Sequence, residues 1–77
     1  MKYFETPEFK AARSEDARLY AALCETVDYR NLPPAGTEAY ATYRRDVVEP
    51  AKAEWWEARK QLNALRAAGE AAEAVTA

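Results

Sequence analysis

Apolar residues at Tyr40, Tyr43, Val47, Ala51, Trp55, Ala58, Leu62 and Leu65 recur at spacings of three or four, and they keep that phase straight through Pro50. A stripe of this period is one face of an α-helix. Proline in mid-helix lacks an N–H, and its ring crowds the carbonyl four residues back, here that of Asp46. The unbroken phase therefore predicts one long helix over residues 38–68, kinked at Pro50. The competing reading starts a third helix at Pro50, with Glu49 as a poor cap.

A first helix precedes it. Thr6-Pro7-Glu8 has the order of a helix start: a capping hydroxyl, proline in the first position, an acid in the first turn. Phe9, Ala12, Leu19, Tyr20, Leu23, Cys24 and Val27 then share one face. Arg13 and Asp16 intrude on that face. Either the two pair across one turn, or the helix breaks near Ser14 and leaves a short extra N-terminal helix over residues 3–12. The single irregular helix is the preferred expectation. Asn31-Leu32-Pro33-Pro34-Ala35-Gly36 breaks the pattern, and Thr37 caps the second helix. Gly69 is the expected stop. Residues 1–69 then form one small helical domain, and residues 70–77, with little apolar bulk, a frayed tail. The fold class is all-α, an antiparallel helical hairpin. Two helices bury one face each, so such a hairpin calls for completion by a third segment, by oligomerisation or by a partner.

Size sharpens that demand. A chain of 77 residues buries only about 60% of its unfolded surface. Of its hydrophobic residues 18 are alanine and none is isoleucine, so much of the burial must come from nine aromatic rings.

Catalytic chemistry finds few of its usual groups. Histidine, the commonest acid–base and metal-binding side chain, is absent. Cys24 lies on the apolar stripe and reads as a buried structural cysteine. One cysteine excludes an intrachain disulfide and suits a reducing compartment. A zinc site needs several N or S ligands, and a bundle di-metal site needs Glu-x-x-His; neither set exists. Glu54 and Glu57 read as solvated surface charge. Gly36 and Gly69 lie too far apart for a phosphate loop. The expectation is no enzyme and no cofactor. The N-terminal MKYFETPEFK lacks the apolar core of a signal peptide, and no run is long enough to span a membrane. The expected location is cytoplasmic.

Two adjacent tryptophans then pose a question of placement. They point about 100° apart on a helix. Trp55 groups with Ala51, Ala58, Leu62 and Leu65 and belongs to the core. Trp56 groups with Arg45, Glu49, Lys52, Arg59, Lys60 and Asn63, a polar face. Its indole is either shielded by Lys52 and Lys60, packed on Tyr3 and Phe4, or a contact anchor. A tryptophan ringed by Lys52, Arg59, Lys60, Asn63 and Arg45 has the composition of an interface hot spot. The expected function is protein–protein binding by a small helical accessory or inhibitor protein, which alanine and arginine usage fits to a bacterial, phage or mobile-element source. The competing function is nucleic-acid binding through Arg44, Arg45 and Lys52, joined by Arg59 and Lys60. Against it stands a net charge of −2. A third reading is a structural subunit that only assembles.

Overall fold

The computed structural model describes residues 2–76, the last of them by its backbone alone. A 3₁₀ turn at Tyr3–Glu5 leads into α1 (Pro7–Thr26). The Pro-Pro loop follows. Then a continuous helical path begins with α2 (Glu38–Tyr43), passes through a π-helical turn at Arg44–Val48 and ends in α3 (Glu49–Thr76). The described residues are all-helical, and α1 packs along α3 as a hairpin.

Local chemistry explains the boundaries. The Thr6 hydroxyl accepts from the Phe9 N–H at 3.2 Å and donates to the Tyr3 carbonyl at 2.9 Å. It thus satisfies an orphan donor of α1 and fixes the turn before it. At the other end the Asn31 amide donates to the Glu25 carbonyl at 2.9 Å. Gly36 takes φ 82°, a conformation that suits glycine. Thr37 repeats the capping pattern, accepting from the Tyr40 N–H at 3.2 Å. The Tyr43 hydroxyl closes the hairpin by donating to the Thr26 carbonyl at 2.8 Å.

Pro50 is accommodated by the wide turn before it. The Glu49 N–H donates to the carbonyl of Arg44, five residues back. This turn holds one residue more than an α-turn, which makes room at the point where the proline ring would meet the preceding turn. It also shifts the apolar phase. The sequence stripe puts Val47 in the core, but Val48 is the buried valine at 4% exposure and Val47 is 38% exposed. Counting back five instead of four from Val48 recovers Tyr43, which is half-buried.

Helix α1 runs unbroken past Ser14, as the preferred expectation has it, but Asp16 pairs with Arg59 of α3 instead of Arg13. The segment before Thr6 forms only the three-residue 3₁₀ turn. Gly69 does not stop the helix, which runs on to Thr76. Its lack of a side chain serves packing: a Cβ there would collide with the Cβ and ring of Tyr3. Tyr3 lies edge-on to Phe9 at 5.2 Å, and its hydroxyl donates to Glu70 at 3.3 Å. Burial, then the Glu70 carboxylate, pushes the Tyr3 phenol above its ordinary pKa.

The result is a rod of 56 × 16 × 14 Å with a single seam as its core. Its radius of gyration is 17.1 Å, against about 11–12 Å for a compact domain of this length. Phe9, Val48 and Leu62 are the buried apolar residues of the described chain. The rod exposes 5666 Å², where a compact monomer of its mass exposes about 4,700 Å².

The shifted phase is directly testable. Val48→Ala should cost about 2 kcal/mol of stability by chemical denaturation, and Val47→Ala should stay within about 0.5 kcal/mol of the parent. The reverse ranking would mean that α-helical phase persists across Pro50. Gly69→Ala adds about 1 kcal/mol of helix propensity but unseats Tyr3. Chymotryptic cleavage at Tyr3 and Phe4 should therefore accelerate, and an unchanged rate would contradict the packing role of Gly69.

Candidate protein-binding face

Asp16 is only 7% exposed, the one charged residue buried among the described residues. It sits in mid-α1 on the seam, where an unpartnered carboxylate would be strongly destabilising. Arg59 supplies the partner from α3. Its Nε donates to Oδ1 at 2.8 Å and its Nη2 to Oδ2 at 2.9 Å. This two-point geometry matches the guanidinium fork to the carboxylate plane. Hydrogen bonding to Asp16 raises the Arg59 pKa above its ordinary value.

The same guanidinium lies over the Trp55 ring, 5.2 Å from its centroid. Because the helices are antiparallel, moving four residues forward from Asp16 matches four residues back from Arg59. Tyr20 therefore meets Trp55, at 5.5 Å between centroids. Trp56 continues the row at 5.8 Å from Trp55, tilted by 53°. Trp55 is half-buried, and its indole N–H is enclosed without an acceptor among the described residues. Tyr20 is 49% exposed and Trp56 51% exposed. The row is thus anchored at Arg59 and open on both sides of Trp55.

The residues expected around Trp56 divide. Lys52 shares a depression of about 400 Å³ with Glu49, Ala53 and both tryptophans. Arg59 is adjacent, committed to Asp16 and Trp55. Asn63 is exposed one turn beyond Arg59, on the same stripe by spacing. Lys60 turns away: it pairs with Glu57 at 2.7 Å and borders a groove of about 770 Å³ between the helices with Glu15 and Glu54. Arg45 pairs with Asp46 at 2.9 Å and not with Glu49. The π turn is the cause, since it aligns residues five apart and hands Glu49 to Arg44 at 3.3 Å. Trp56 lies against Trp55, and among the described residues no cation sits over its ring and no other ring pairs with it. The cations over rings among the described residues are Arg59 on Trp55 and Arg44 on Tyr40.

Two members of this face, Asp16 and Tyr20, are absent from the set expected around Trp56. Asp16 reads as an intruder and Tyr20 as core. The usable signal is an acid centred on an apolar stripe, which demands a base from the facing helix. Cys24 corrects in the same direction: it is exposed. It follows Tyr20 by one turn, and with only one neighbouring helix α1 buries a stripe too narrow to include either.

Among the described residues no group of three or more acidic or cysteine side chains is placed to hold a metal ion. Nor is any helix of the described residues long and apolar enough to cross a membrane. No family model, curated protein or solved structure matches the chain.

Asp16→Ala should lower stability by about 1.5–3 kcal/mol, below the range for a fully buried pair because Arg59 is partly screened by solvent. Replacing both partners, Asp16→Leu with Arg59→Met, should recover most of that loss. Thermal melts in which Asp16→Ala matches the parent would show that the pair does not hold the seam.

Proposed function

We propose that the protein is a non-enzymatic helical binding protein that holds another protein against the Tyr20–Trp55–Trp56 face. One observation carries the reading: two aromatic rings, each about half exposed, flank a third that Arg59 and Asp16 hold rigidly. Exposed tryptophan beside arginine and lysine is the composition of interface anchors. A rigid row loses little conformational entropy on binding. An accessory or inhibitor role suits a rod that exposes such a face.

The nucleic-acid reading has weaker support. Of its five basic residues, Arg44, Arg45, Arg59 and Lys60 each pair with a carboxylate of the same chain. Lys52 has no ion pair among the described residues. A phosphate-binding stripe needs cations that are not already neutralised.

The test is affinity capture from the source cell with parent and Trp56→Ala baits, read by mass spectrometry, beside thermal melts of both. Trp56→Ala should fold with a stability within about 1 kcal/mol of the parent yet lose about 2 kcal/mol or more of partner affinity, roughly thirtyfold. Trp55→Ala should unfold the seam, at a cost of about 3 kcal/mol. Equal capture by both baits, or a Trp56→Ala protein that melts as badly as Trp55→Ala, would contradict the reading.

A further inference from the structure

We infer that in the protein alone this face is covered by a second copy, docked antiparallel about a two-fold axis that crosses the rod at its midpoint. The inference rests on the proposed reading of the face as protein-binding and names its occupant.

Position is the first argument. The helical path from Glu38 to Thr76 is centred at Glu57, so the tryptophan pair stands at mid-rod. A perpendicular two-fold axis there brings the aromatic rows together and overlaps the two rods along their full length. This is the self-complementary contact of a symmetric dimer, and it closes two hairpins into a four-helix bundle.

Charge is the second argument. From Trp56 toward the loop end, the stripe carries Lys52, Glu49 and Arg44, the last aligned by the π turn and its Glu49 pairing. Toward the other end it carries Arg59, Asn63, Arg66 and Glu70. Folding the stripe back on itself about the midpoint sets Trp56 opposite Arg59 of the second copy and Lys52 opposite Asn63. It sets Glu49 opposite Arg66, and Arg44 opposite Glu70. No like charges meet along this stripe. A parallel arrangement would instead place each charge against its own copy, which is repulsive at every charged position.

Area is the third. The surface exposed beyond that of a compact monomer is on the order of 900 Å². Each partner in a standard stable interface contributes about 800 Å². The excess that elongation leaves over the whole rod is of the size that a standard interface removes.

The experiment is sedimentation equilibrium up to about 1 mM protein, with circular dichroism on the same samples. The parent should be a dimer. Trp56→Ala and Glu49→Arg should each weaken association by about tenfold or more. Glu49→Arg with Arg66→Glu should restore it to near the parent level. Within one chain these two positions are separated by about 25 Å of helix, so restoration can only act between copies. Dissociation can itself lower helicity, and the restoring double variant, regaining both mass and helicity, decides that case. A dimer unaffected by Trp56→Ala, or a double variant no better than Glu49→Arg, overturns the inference. A parent that stays monomeric while Trp56-dependent capture of another protein persists overturns the second copy alone. A monomer whose captures ignore Trp56→Ala overturns both readings.

Discussion

The Asp16–Arg59 pair fixes how the two long helices meet. A seam made mainly of alanine and a few large apolar side chains specifies register weakly, because sliding by one turn exchanges one apolar contact for another. A buried carboxylate removes that freedom. Shifted by a turn, Asp16 would lose the guanidinium that neutralises it, a change that costs several kcal/mol. In the observed register it receives two charge-assisted hydrogen bonds. Such pairs add little net stability over an apolar replacement. Their contribution here is alignment, and the tilted contact of Tyr20 with Trp55 one turn away follows from it.

A two-helix layer leaves flanks that nothing covers. Tyr20, Cys24, Val27, Val47 and Trp56 are all exposed for that reason. The chain partly compensates at one end, where Tyr3 folds onto Gly69 and Phe9. At mid-rod it has no such cover. There the exposed rings stand on a rigid base, which is the arrangement the proposed binding function uses.

Much of this architecture is legible in the residue order. Thr6-Pro7-Glu8 and Thr37-Glu38 state their capping chemistry, and the Pro-Pro cluster can only be a turn. The misplacements share one cause: periodicity records a face but not its width or what lies across from it. Cys24 and Tyr20 belong to the apolar stripe of α1, yet a single neighbour buries only its centre. Asp16 reads as a flaw until Arg59 is placed opposite. Val47 yields to Val48 because the π turn inserts a residue that no hydrophobic pattern announces. Gly69 carries the signature of a helix stop, and its role in seating Tyr3 depends on a contact between the two ends of the chain. Arg45 drops from the Trp56 surroundings for the same reason as Val47, since the π turn gives Glu49 to Arg44.

The central claim is that Trp56 is a contact surface and not an incidental exposed ring. Acrylamide quenching of a Trp55→Phe variant reports on Trp56 alone while keeping an aromatic ring in the seam. Measured from dilute to concentrated protein, quenching should be efficient at first and should fall as the face becomes covered. Quenching that stays equally efficient at every concentration, and on addition of any captured partner, would contradict the account.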